Sequence, residues 1–304
     1  MKTFLSLLFC LVLGLFSPAG AAARDVTASV FPVWLLLREV TRDVPDTGVS
    51  LLLPAGTGCP HDYAMTPQDR RTLARADILV INGLGLESFL GESGRAGELM
   101  KKGSLIIDLS RGMDGLIHDD AGQDEHNHQG VNPHIFASPA MMERMALSLA
   151  RQLAEADPEH ASLYEEGGRR TAAQYAALAA ECRETGARLK DRGVLVQHDI
   201  FSYLARDMGL RVDGVIRSQE GQEPSARDML NMVRAIREKG TAAVITEPQY
   251  PDRTGRTLAA ETGIPCLSLD PVAGGPEDAS PSYRRTSTLT TVASEAAYSN
   301  VSKS

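Results

Sequence analysis

Four of the chain's seven histidines fall within one stretch, HDDAGQDEHNHQGVNPH, residues 118–134. His118, His126, His128 and His134 are interspersed there with Asp119, Asp120, Asp124 and Glu125, and no apolar run separates them. Imidazole together with carboxylate is the donor set of zinc and similar metal ions. The same composition also suits a solvated polar loop. The end of the stretch, Asn132-Pro133-His134, is more restrictive, because proline fixes the backbone beside the last imidazole.

Three residues elsewhere carry matching chemistry: His61 in the polar loop 54–65, His198 directly after Val194-Leu195-Val196-Gln197, and Asp270 before Pro271. The elements that must position them read as alternating strands and helices. Apolar runs predict strands over residues 26–31, 49–53, 78–82 and 105–108, and again over 194–197, 210–215, 242–246 and 266–269. Helical spacing and cap-then-proline pairs predict helices over 33–41, 66–75 and 138–155, then 200–208, 225–239 and 252–262. Met142 and Met145 recur with Leu149 and Leu153 at helical spacing and read as core. Residues 158–190 contain no proline after Pro158, and at 1.5 Å per residue they predict a connecting helix of about 50 Å. Strands separated by helices pair in parallel. The expected fold is therefore α/β, with two Rossmann-like lobes joined by one long helix.

On this reading His61 follows the second strand and His134 the fourth, while His198 ends the first strand of the second lobe and Asp270 its last. All four lie beyond carboxyl ends of strands, where loops converge on a ligand crevice. Three imidazoles and one carboxylate make a complete tetrahedral zinc set across the interlobe cleft. Each residue also has a plainer reading: His61 as exposed, His134 as a brace for the next helix, His198 as a satisfied core histidine, Asp270 as a turn aspartate.

The N-terminus bounds the compartment. Lys2 precedes the apolar residues 4–16 and small residues follow at 19–23, the pattern of a secretory signal peptide cleaved after Ala21 or Ala23. The expected division is thus a signal peptide over 1–23, a first lobe over 24–157 with its histidine-rich loop at 118–130, a connecting helix over 158–190 and a second lobe over 191–304. The formal net charge is −8, and loss of Lys2 makes it more negative, so nucleic acid is excluded as a partner. Beyond the leader the cysteines are Cys59, Cys182 and Cys266, whose spacing matches no Cys-x-x-Cys metal site. After Gly274 the chain turns to Gly, Pro, Ser and Thr, with a weak helical pattern at 288–297.

The motifs, in order, carry a family resemblance. Gly58-Cys59-Pro60-His61-Asp62-Tyr63 leads to Thr66-Pro67-Gln68-Asp69. Asn132-Pro133-His134 follows, then His198-Asp199-Ile200-Phe201 with Tyr203-Leu204-Ala205. Glu223-Pro224-Ser225, Glu261-Thr262-Gly263 and Leu269-Asp270-Pro271 complete the series. The chain resembles the periplasmic metal-binding components of cluster A-I ABC transporters, the ZnuA/TroA-like family. That resemblance implies a metal in the interlobe cleft, ligated by His61, His134, His198 and Asp270 and handed to a membrane permease with its cytoplasmic ATPase. It implies Zn2+ as the carried ion, since a histidine stands at the third position where manganese-type members have glutamate. The histidine-rich insertion, with His118, His126 and His128, implies a secondary metal-collecting annex.

Departures from the family pattern are Cys59, a thiol two residues before His61, and Ser138, where the family usually has aspartate. Glu247, at the end of the seventh strand, is the candidate general base for a competing reading as a zinc-dependent hydrolase. A second competitor, a manganese or other divalent-metal binding protein, uses the same site. A siderophore or corrinoid binder would need aromatic contacts, and the chain has one Trp. An adhesin on the same fold is compatible with the sequence. The resulting expectation is a monomeric, non-enzymatic periplasmic zinc-binding protein, whose His198 and Asp270 close on His61 and His134 around the ion.

Overall fold

Aliphatic runs of four or five residues, punctuated by Gly, Pro and Asp, build the strands. The computed structural model describes residues 24–276 apart from 56, 58–59, 61–62, 92–94, 119–129, 190–191, 217–223 and 273. The strands form two parallel four-stranded sheets. β1 (Arg24–Ala28), β2 (Thr47–Leu51), β3 (Ile78–Ile81) and β4 (Leu105–Asp108) pair in the order β2-β1-β3-β4. β5 (Gly193–Val196), β6 (Arg211–Val215), β7 (Ala243–Thr246) and β8 (Cys266–Ser268) pair in the order β6-β5-β7-β8. In each sheet the chain steps first to one side and then to the other. The switch points fall between β1 and β3 and between β5 and β7, where departing loops diverge and leave room for a ligand.

The strand expected over 26–31 stops at Ala28, because Phe31 already opens α1 (Phe31–Val40) with Pro32 in its first turn, where a missing N–H leaves no bond unmade. Almost the whole circumference of α1 is buried, so it lies between the first sheet and the later helices α4 (Pro139–Ala156) and α5 (Ala161–Arg188). Polar residues before the helices act as caps. Thr66 and Asp69 form a capping box on α2 (Pro67–Arg75), and Ser138 Oγ accepts from the Met141 amide at 3.1 Å at the start of α4. A short helix that periodicity does not reveal, α3 (Arg95–Leu99), precedes β4.

The long helix is interrupted near its start. Residues Pro158–His160 form a 3-10 turn, and α5 then runs 28 residues, about 40 Å. Asp157 organises the break. Its carboxylate accepts from His160 Nδ1 at 2.9 Å and Tyr164 Oη at 3.1 Å and pairs with Arg24 at 3.3 Å. Burial, and then the Asp157 charge, push the Tyr164 phenol up to about 12.

Past this break α5 spans both sheets and touches backbone in each half. A Cβ on Gly167 would stand 2.1 Å from the Val40 carbonyl oxygen, at the end of α1. One on Gly186 would stand 1.9 Å from the carbonyl oxygen of Met208, the last residue of α6 (Ser202–Met208). Only glycine permits these approaches. Around them a single apolar core continues from the first sheet into the second, joining Leu79, Ile135 and Met145 to Val196, Phe201, Met208 and Leu269. A smaller cluster, Leu195, Ile216, Ile236, Val244, Leu258 and Ala259, packs the opposite face of the second sheet under α7 (Ala226–Lys239) and α8 (Arg253–Thr262). No described helix is long and apolar enough to cross a membrane.

Candidate metal centre

The site is built outward from the first switch point. Ser29 follows β1 and Asn82 follows β3, and both converge on the buried Glu87. One Glu87 oxygen accepts from Ser29 Oγ and the Asn82 amide, each at 2.7 Å, and the other accepts from the Gly83 amide at 3.1 Å. Burial pushes this carboxyl up to about 7, against those three hydrogen bonds and with a smaller push from Asp108. The Asn82 side chain then donates to the Pro133 carbonyl at 2.9 Å, seating the turn that carries His134.

Glu87 makes stability depend on pH. Its proton is kept in the native state up to about pH 7 but lost near 4.5 in the unfolded chain. The native state therefore binds the extra proton across that window, and stability falls as pH rises through it, by on the order of 3 kcal/mol. Denaturant unfolding between pH 4.5 and 7.5 should show that decline in the wild type. It should flatten in Glu87→Gln, and equal slopes in the two proteins would refute the assignment.

Asn132 fixes the ring of His134. Its Nδ2 donates to the Asp199 carbonyl at 3.1 Å and carboxylate at 2.5 Å, and its Oδ1 accepts from the His134 amide at 2.9 Å. The amide orientation is set by these partners, so the Oδ1 lying 3.0 Å from His134 Nδ1 is an acceptor. His134 must therefore carry its proton on Nδ1, which leaves the Nε2 lone pair for a ligand.

His198 follows β5, at the second switch point. Its ring centre lies 5.0 Å from that of His134, with the planes at 75°. Two imidazoles sharing one tetrahedral zinc at Zn–N distances near 2.1 Å need roughly that separation. Glu247, after β7, places a carboxylate oxygen 3.9 Å from His198 Nδ1. Asp270, after β8, accepts from Gln249 Nε2 and the Val272 amide, both at 2.8 Å, through the same oxygen. Those bonds hold Val272, fully buried, at a φ of +62°, a conformation that β-branched residues adopt only when the surroundings impose it. Beyond it the chain returns to the first lobe, where the Gly275 amide donates to Ala55 at 3.0 Å, on the loop that leads to His61.

His134 and His198 are thus brought together from different sheets. His61 and Cys59 lie outside the described residues, as do Asp119, Asp120, Asp124, Glu125, His126 and His128. Among the described residues no three His, Cys, Asp or Glu side chains converge closely enough to hold a metal ion. His118 is exposed and bridges Val131 across the stem of the histidine-rich loop. That stem is clamped from the other lobe: Tyr203 Oη donates to the Asn132 carbonyl at 2.8 Å and accepts from the Ile117 amide at 3.0 Å. Arg206 adds a bond to the Gly115 carbonyl, and Ser138 donates to the Asp207 carboxylate. Asn82 had a faint signal in the sequence, a polar residue closing an aliphatic strand, whereas Glu87 had none and Tyr203 stood out only within the motif Tyr203-Leu204-Ala205.

Comparison with known proteins agrees with this architecture. The High-affinity zinc uptake system protein ZnuA of Bacillus subtilis is 26% identical over 259 residues, covering 82% of this chain and 78% of that protein. A crystal structure of ZnuA superposes with a TM-score of 0.74 at 28% identity, covering 91% of this chain and 98% of that one. A deletion mutant of ZnuA with zinc bound superposes with a TM-score of 0.72 at 27% identity, over 90% and 97%. Residues 26–291 match the family model described as the periplasmic zinc-uptake complex component A, and the chain belongs to that family.

Proposed function

We infer that this chain is a high-affinity zinc-binding protein that captures Zn2+ outside the cytoplasm and delivers it to an ABC importer. The observation that carries the reading is the facing pair His134 and His198, one from each lobe, with His134 held as the tautomer protonated on Nδ1. His61 and Asp270 complete the proposed ligand set, since the loop toward His61 and the chain after Asp270 meet at Ala55 and Gly275. Members of this family are uptake components rather than enzymes, so a binding role for Glu247 replaces the hydrolytic one. The zinc named for the Bacillus subtilis protein and bound in the ZnuA deletion mutant supports the same cargo here.

In this proposal residues 1–23 are a cleaved signal peptide, 24–157 and 191–304 are the two lobes, and 158–190 is the connector. The acidic, histidine-bearing loop 118–130 is a weaker annex that gathers metal near the site. The monomer presents its loaded cleft face to the membrane permease. An imidazole-rich set favours zinc over the harder manganese ion. Elemental analysis of the purified protein, followed by calorimetric competition among zinc, manganese and cadmium, tests this. Zinc should bind more tightly than manganese, and a manganese preference would replace the cargo named here.

A further inference from the structure

We propose that Glu247 is the positioning residue of the second lobe's ligand, placing a compensating negative charge at ion-pair distance behind His198 Nδ1. This rests on the assignment of His198 as a zinc ligand. β5 and β7 are neighbours, with Val196 opposite Ile245, so the residues that follow them emerge side by side at the switch point. Gln197 locks that arrangement. Its amide donates to the Ile245 carbonyl at 2.8 Å, its Oε1 accepts from the Glu247 amide at 2.8 Å, and its Nε2 donates to the Pro251 carbonyl at 2.9 Å. The Glu247 side chain is thereby held inside the protein, only 2% exposed, with Oε1 3.9 Å from His198 Nδ1.

A carboxylate this deeply buried is destabilising unless a donor or positive charge faces it. His198 Nδ1, at 3.9 Å, lies beyond direct hydrogen-bond distance but within ion-pair reach of that carboxylate, and the imidazole becomes partly positive once Nε2 binds a cation. The carboxylate in turn raises the basicity of Nε2 and favours a proton on Nδ1. The two imidazoles are therefore braced differently, His134 by a neutral amide oxygen and His198 by a charge. Of the pair, His198 is the ligand whose donor strength depends on electrostatics.

The test compares wild type, Glu247→Gln, Glu247→Asp and His198→Ala by zinc calorimetry. Each metal-free protein is also melted, and the His198 ring nitrogens are observed by NMR. Glu247→Gln keeps the shape and loses the charge, and should bind zinc roughly 10–100-fold more weakly. Its metal-free melting temperature should not fall, and its His198 ring should lose the preference for a proton on Nδ1. Glu247→Asp, which keeps the charge with a shorter reach, should retain more affinity than Glu247→Gln. Wild-type affinity and tautomer in Glu247→Gln, with tight binding abolished in His198→Ala, would overturn the role of Glu247 alone. Undiminished affinity in both would instead overturn the ligand assignment beneath it.

Discussion

Replacing His198 by alanine is expected to weaken zinc binding by more than roughly 100-fold, beyond the 10–100-fold that loss of an outer partner produces. The metal-free protein should stay folded. His198 is the cleaner of the two imidazoles to remove, because it stands at the cleft rather than inside the network that joins the lobes. His134 is 4% exposed and hydrogen-bonded to Asn132, so His134→Ala should show the same loss of affinity plus about 1 kcal/mol of stability from the broken bond. Competition against a chelator of known affinity measures both effects. Equal zinc affinity in wild type and His198→Ala would remove the paired-imidazole site from consideration.

The second large effect lies far from the metal. Gly186→Ala should lower the unfolding free energy by about 3 kcal/mol, and the melting temperature by about 6 °C for a protein of this size. Alanine would gain up to about 1 kcal/mol of helix propensity over glycine. The new methyl would, however, sit 1.9 Å from the Met208 carbonyl oxygen, and neither backbone can yield without separating α5 from α6. The clash outweighs the gain. Gly97→Ala in α3 is the control, since a methyl there meets nothing within 4 Å and should leave stability unchanged or slightly higher. If both substitutions shifted the melting temperature alike, the close approach of α5 would not be the cause.

Much of this architecture was legible before the structure. The cap-then-proline pairs Thr66-Pro67 and Ser138-Pro139 marked helix starts because the hydroxyl and the missing N–H both answer the unpaired first turn. The aliphatic runs marked the strands, and the placement of His134 and His198 after strands anticipated that they would meet. Local chemistry is ambiguous after β1: Val30 and Phe31 continue an apolar run, yet Pro32 recruits Phe31 into a helix. What could not be read at all depends on which strands are neighbours. Glu247 reaches His198 only because β7 pairs with β5, and Asn132 reaches Asp199 only because the lobes dock, relations between residues tens of positions apart. The expected closing of His198 upon His134 meets the same fact, since Asn132, Tyr203 and Ser138 already bond across the lobes beside that pair.

The apolar core that runs beneath both sheets makes the molecule one cooperative body, because opening either half uncovers the buried face of the other. Zinc held at the proposed site between the halves would then stabilise every part of the chain by mass action, by about 2.7 kcal/mol when free zinc stands at a hundred times its Kd. A loaded molecule would visit the open state roughly a hundredfold less often than an empty one. Proteases that cleave only what opens would therefore clear empty carriers first. The zinc supply would in this way set not only how much metal is carried but how long the carriers last.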